Sequence, residues 1–144
     1  MDLSRAMEWA SQRRNGVLIT IRADGRPQSS DIVYSIDGNV VRVSVTDTRA
    51  KTANMRRDPR VVLHLTDTDS WSYVSFDSTV ELSPVCTDPT DAAADESAEL
   101  YRAITGSEHP DWDQYRQSLV DEGRLVARIT PLGAVGQIHS AADK

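Results

Sequence analysis

The sequence predicts a mainly β fold: a small six-stranded antiparallel β-barrel with short helices hung on its connections. Two observations point there. Six or so short extended segments are separated by turn chemistry, and only three or four stretches carry helical spacing. A chain of 144 residues, 39% hydrophobic and 26% charged, also fits one core that buries roughly 70% of its unfolded surface. Residues 1–144 are therefore read as a single domain. A barrel this small has little room inside. A ligand is expected on its outer wall or in a groove made with a second copy, and a homodimer is the expected assembly.

The elements follow in order. In "LSRAMEWASQRRNG", Ser4 is placed to cap a helix that sets Leu3, Met7 and Ala10 at helical spacing and closes at Asn15-Gly16. "GVLITIR" alternates, "ADGRP" supplies a turn, and "QSSDIVYSI" resumes an extended pattern before Asp37-Gly38 and "NVVRVSV". Three antiparallel strands in a meander are expected. After "RAKTANMRRDPR" come "RVVLHLTD", with Val61, Leu63 and Leu65 on one face, and the longer "WSYVSFDSTVELSPV". "DPTDAAADESAELYRAIT" reads as a helix capped by Asp88 with Pro89 at its first position, its acids forming a solvated face. "HPDWDQYRQSLVDEG" is a second helix that starts near Pro110 and stops at Gly123, with Trp112 and Tyr115 packing it on the barrel. "RLVARITPLGAVGQIH" supplies one or two last strands, broken at Pro131-Leu132-Gly133.

Several functions are disfavoured by composition. A net charge of −6 and a pI near 5 argue against a protein that coats nucleic acid or a membrane surface. No apolar run approaches the ~20 residues that span a bilayer. Cys86 is the sole cysteine, so no intrachain disulfide is expected, and the N-terminus lacks the charged-then-apolar pattern of a signal peptide. A cytoplasmic protein is the reading. His64, His109 and His139 are isolated, and no zinc-ligand, nucleophile-elbow, Rossmann or Walker spacing occurs. No metal is expected.

Within this acidic chain, residues 49–60 carry five basic side chains and one acid. Thr48 is placed to cap a short helix that must end by Asp58, the residue before Pro59. Arg49 and Lys51 then fall in its first turn, where the helix dipole is already positive and each cation costs ~0.3–1 kcal/mol. A bound anion would reverse that sign. Backbone N–H groups at a helix start bind phosphate, and the two side chains would add charge-assisted hydrogen bonds. Lys51 stands out further, because the only other lysine is Lys144.

The ordered set "GVLITIRADGRPQSSDIVY", "VRVSVTDTRAKTANMRRDPRVVLHL", "WSYVSFDSTVEL" and "YRAITGSEHPDWDQYRQSLV" resembles the pyridoxamine 5′-phosphate oxidase-like split β-barrel family. More narrowly, it resembles the actinobacterial branch that uses the deazaflavin coenzyme F420. The resemblance implies a homodimer of the FMN-binding split-barrel type, with cofactor sites at the interface. It also implies an oxidoreductase that moves a hydride between reduced F420 and a small organic acceptor such as a quinone, enone or tetrapyrrole. By this likeness, Arg49 and Lys51 hold the cofactor phosphate. Asn54 and Ser44 reach the ribityl chain or phosphate, Gln28 passes the ring, and Trp71 and Tyr73 close the pocket from the other subunit. Arg56, with Arg57 and Arg60, supplies positive surface for the carboxylate tail, while Asp31 stands where close relatives often carry a neutral residue. FMN is the alternative cofactor, and a non-catalytic flavin or deazaflavin carrier the alternative function.

Overall fold

The computed structural model describes residues 1–140. The elements are α1 (Leu3–Ser11), β1 (Asn15–Ile21), β2 (Pro27–Val33), β3 (Ser35–Asp37), β4 (Val40–Thr46), α2 (Ala50–Arg57), β5 (Arg60–Asp67), β6 (Ser72–Leu82), α3 (Ala92–Thr105), α4 (Trp112–Asp121) and β7 (Arg124–Gln137). The strands form one antiparallel sheet in the order β2-β1-β5-β6-β7-β4-β3. The fold is mainly β, a curled split barrel with short helices. Among the described residues seven strands are present where six are expected from sequence.

The extra strand comes from the segment read as one. "QSSDIVYSI" is extended throughout, yet it is two strands that lie at opposite edges of the sheet, with only Tyr34 between Val33 and Ser35. The expected meander is thereby corrected: β2 pairs with β1, while β4 pairs with β3 and β7. Consecutive Cα atoms are 3.8 Å apart, so two edges joined through one residue must meet at that point. The sheet has to curl. Tyr34 fixes the junction, since it is 1% exposed, its N–H donates to the Arg14 carbonyl at 2.8 Å and its hydroxyl to the Ala10 carbonyl at 2.7 Å.

Inside the curl, alternate residues of each strand form the core: Leu18; Val41, Val43 and Val45; Val61, Leu63 and Leu65; Val74 and Phe76; and Leu125, Ala127 and Ile129. Period-two alternation places them there. α1 closes one side with Ala6, Trp9 and Ala10. Near the end of β7 the register shifts between Asp77 and Ser78, whose partners Gly133 and Pro131 skip Leu132. This bulge leaves Leu132 unpaired and outward, so the expected break is an irregularity inside one long strand.

Helix caps differ from the sequence reading in three places. Asp2 rather than Ser4 caps α1, its carboxylate accepting from the Arg5 N–H. Asp91 rather than Asp88 caps α3, and Asp88 instead builds a turn on the Thr90 N–H and hydroxyl. α2 begins without a side-chain cap: Arg49 occupies that position, and the Thr52 hydroxyl donates to the Thr46 carbonyl at 2.7 Å. In all three cases several Asp, Ser or Thr residues compete within one turn, and local spacing does not rank them.

The Tyr34 hydroxyl tests the junction. Tyr34→Phe keeps the ring and removes one buried hydrogen bond, with an expected loss of about 0.5–1.5 kcal/mol in urea unfolding. An unchanged midpoint would show that ring packing alone holds the two edges together.

Candidate functional site

The barrel is split because β3 is short. Its three residues pair with Val40 to Arg42 and leave the rest of the β4 edge without a ladder partner on that side. There β4 faces β2 across an open seam, lined by Gln28 and Ser30 on β2 and by Ser44, Val45 and Thr46 on β4. α2 follows β4 after a three-residue turn and crosses the end of the barrel to β5, so its first turn sits at the mouth. Arg49, Ala50, Lys51 and Arg124 complete a groove of about 390 Å³. A roomier cleft of about 450 Å³ lies on the outer face, against Val17, Asp31 and His64. We place the site in the smaller one, because its lining carries cations and no carboxylate.

Among the described residues, neither Arg49 nor Lys51 has a carboxylate or hydrogen-bond partner for its side chain, and α2 has no acid in its first turn. Arg124 donates to Glu122 at 2.9 Å. Burial, followed by the neighbouring Arg49 and Arg124 charges, holds the Lys51 ammonium below its ordinary value near 10.5. Three cations thus converge on hydroxyls, an amide and the first N–H groups of a helix. The donor set fits an anion, and phosphate geometry matches a helix start.

Beneath the groove lies a chain of polar contacts. Arg57 Nη2 donates to Asn54 Oδ1 at 2.8 Å, and Asn54 Nδ2 donates to Gln28 Oε1 at 2.8 Å and to Thr20 Oγ1 at 3.0 Å. Thr20 is fully buried and Asn54 nearly so. Asn54 therefore meets the groove through Gln28, its own amide being engaged within the chain.

The residues singled out from sequence fall into three groups. Gln28, Ser44, Arg49 and Lys51 share the groove. Asn54 supports it from below. Arg56 pairs with Asp47 at 2.6 Å on the exposed side of α2, and Arg60 holds Asp58 through Nε and Nη2. Trp71 and Tyr73 stand at the start of β6, 74% and 41% exposed, and do not line this groove. Asp31 alternates with Ser30 and faces the outer cleft, so its charge is turned away from the cation cluster. Ser30, Thr46 and Arg124 were missed from sequence. Strand alternation from Gln28 finds Ser30, whereas Arg124 is brought in only by the pairing of Thr46 with Arg124 between β4 and β7.

The family model described as pyridoxamine 5′-phosphate oxidase matches residues 4–134, and the chain belongs to that family. Among solved structures, a conserved hypothetical protein from Mycobacterium tuberculosis is similar with TM-score 0.75 and 22% identity, over 96% of this chain and 86% of that one. An F420 reductase is 25% identical with TM-score 0.62, over 89% and 94% of the two chains. The same fold is shared with a FAD-binding protein from Mesorhizobium loti, at 15% identity and TM-score 0.67 over 94% and 92%. It is shared too with a haem storage protein from Vibrio cholerae, at 16% identity and TM-score 0.68 over 96% and 98%.

The Lys51 environment gives a sign that melts can check. Its folded value lies below its unfolded one, so the unfolded chain holds more protons between the two and stability of the empty protein rises with pH across that window. Below it the cost of the buried ammonium is present in full. Lys51→Met is expected to raise the melting temperature of the ligand-free protein at pH 7, with the gain shrinking as pH climbs toward 10.5. A variant that melts below the parent at pH 7 would mean that the lysine stem, rather than its charge, dominates.

Proposed function

We propose that the seam groove seats the phosphate of coenzyme F420, and that the protein moves a hydride between reduced F420 and a small organic acceptor of the quinone, enone or tetrapyrrole class. At a coarser level, the family supports an oxidoreductase or flavin-binding function. The observation that carries the reading is the unpaired Arg49 and Lys51 at an uncapped helix start, in a chain of net charge −6. The choice of F420 rests on the similarity to the F420 reductase. FMN presents a phosphate to the same clamp and is the rival.

When bound, reduced F420 supplies the hydride, and the protein supplies binding, orientation and exclusion of water. Arg49, Lys51 and the first N–H groups of α2 hold the phosphate. Gln28 meets the ring, and the Ser30 and Ser44 hydroxyls, which both donate and accept, are the groove's own groups able to pass a proton. None of them is assigned as a catalytic residue. Arg56 and Arg60 are engaged with Asp47 and Asp58, so their service to a carboxylate tail would require exchanging one carboxylate for another.

The site is completed, on this reading, by a second copy. Val17, Ile19 and Val62 face outward on the sheet, and Val33, Trp71, Tyr73, Leu132 and Val135 are exposed large hydrophobic side chains. A homodimer that covers this face would carry Trp71 of the partner subunit and Tyr73 of the partner subunit toward the groove.

Parallel fluorescence titrations with F420 and FMN test the cofactor. Tight F420 binding with turnover of the reduced form against an acceptor panel is expected; binding without turnover would make the protein a carrier, and FMN binding without F420 binding would replace the cofactor. Lys51→Ala and Arg49→Ala should each weaken binding roughly 10- to 150-fold, since a hydrogen bond to a charged group contributes about 1.5–3 kcal/mol. Parent-like affinity in both variants would place the phosphate elsewhere.

Assembly is tested by ultracentrifugation at micromolar concentration, where a dimer is expected without cofactor. Trp71→Ala should weaken cofactor binding despite its distance from Lys51 in the chain. A monomer with full affinity would remove the shared site.

A further inference from the structure

The polar chain beneath the groove has a fixed direction. Arg57 is a donor without an acceptor, so the Asn54 atom that receives it at 2.8 Å must be the amide oxygen. Asn54 is then bound to present its NH₂, which reaches Thr20 Oγ1 and Gln28. The Gln28 atom that receives it must in turn be Oε1. Gln28 Oε1 is thereby turned toward Asn54, and both N–H donors of the Gln28 NH₂ are left for the groove. Amide orientation is usually a matter of choosing the better network; here an arginine at one end settles both amides.

We propose that Arg57, acting through Asn54, turns the Gln28 NH₂ toward the groove, so that the ligand edge it meets is an acceptor, a carbonyl oxygen or a deprotonated ring atom. The inference rests on the cofactor reading for what the ligand is, and on the protein alone for the polarity. It gives Arg57 a different part from the sequence expectation, which groups it with Arg56 and Arg60 as positive surface for a carboxylate tail. Arg57 becomes a positioning residue: exposed on α2, it also donates to the Ile21 carbonyl at 3.2 Å, which ties its guanidinium to β1. The groove then has two recognition zones. Charged donors at the helix start take a phosphate, and a neutral donor on β2 takes an acceptor edge.

Nitrogen-15 NMR of the side-chain amides tests the direction in the ligand-free protein. The Asn54 NH₂ should exchange slowly with water, being buried with two acceptors, and the Gln28 NH₂ quickly. Arg57→Lys, which retains a donor-only group, should keep this pattern, while Arg57→Met should speed Asn54 exchange. Asn54→Asp offers a near-isosteric reversal, because the introduced carboxylate accepts from Gln28 as well as from Arg57. The Gln28 NH₂ should then become protected, and Oε1 should face the groove.

Ligand titration adds the consequence. For F420, or for FMN if that is the cofactor, Asn54→Asp should weaken binding about tenfold or more, and the loss should persist at 0.5 M salt, where simple repulsion is screened. Arg57→Lys should bind within about threefold of the parent. A slowly exchanging Gln28 NH₂ in the parent overturns the proposal even if no variant folds, and so does parent-like affinity of Asn54→Asp. Failure of the parent to bind either cofactor would instead sink the cofactor reading, with the exchange pattern still deciding the polarity.

Discussion

Everything in this molecule is arranged around a single-residue link between the two edges of its sheet. β2 and β3 are as far apart in strand order as the sheet allows, yet Tyr34 alone separates them. A flat sheet of seven strands would set its edges roughly 29 Å apart at ~4.8 Å per strand spacing, and one residue cannot span that. Closure is thus imposed by connectivity, with hydrophobic burial inside the curl stabilising what the chain already requires. The groove follows from the same link. β3 runs for only three residues before turning at Gly38 into β4, so the edges touch at Tyr34 and part beyond it. Hydroxyl and amide side chains line the part where no ladder forms.

α2 lies across this opening for a geometric reason as well. It must carry the chain from β4, next to one edge, to β5, which pairs with β1 near the other. Its first turn leaves the end of β4 at the seam, and its last turn passes over β1 and β2, where Asn54 and Arg57 find Thr20, Gln28 and the Ile21 carbonyl. One short helix therefore serves both ends of the groove. The arrangement is unfavourable in the absence of a ligand, since Arg49 and Lys51 add positive charge to a helix start that has neither side-chain cap nor acid. Many other arginines meet acids, as in Arg128 with Glu81 and Glu96 and Arg13 with Asp67. Charge left unpaired here is what an anion site requires.

Much of this was legible in the sequence, and the remainder was hidden for identifiable reasons. Strand alternation in "RVVLHLTD" and "NVVRVSV" fixed which residues enter the core, because period two is a local property. The basic island and its helix were likewise local, bounded by Pro59. The edge switch at Tyr34 was not, since "QSSDIVYSI" is extended on both sides of the switch and nothing in its pattern says which neighbour each half will pair with. The same limit explains Arg124, which enters the groove only through β7 pairing, and Asn54, whose role depends on where Thr20 and Gln28 lie in space. The contacts of Arg57 were hidden for a further reason. Helix position places it in the last turn, as the structure does, and only the tertiary fold shows that the exposed guanidinium also reaches the Ile21 carbonyl and Asn54.

The fold is shared by proteins whose names attach them to F420, FAD and haem, so a curled sheet by itself does not choose a ligand. Choice has to reside in the few groups at the seam. A phosphate clamp is a weak discriminator, because F420, FMN and FAD each carry one or more phosphates. If the seam groove is the site, as proposed, discrimination comes from the zone beside β2. There a neutral amide of fixed direction is more selective than a charge would be: an arginine attracts any anion over several ångströms, whereas a single oriented NH₂ rewards only an acceptor within hydrogen-bond reach and leaves a misplaced donor unsatisfied. Burying the support of that amide under α2, with Thr20 fully buried and Asn54 nearly so, keeps water from offering the Asn54 amide the alternative partners that would let it turn over.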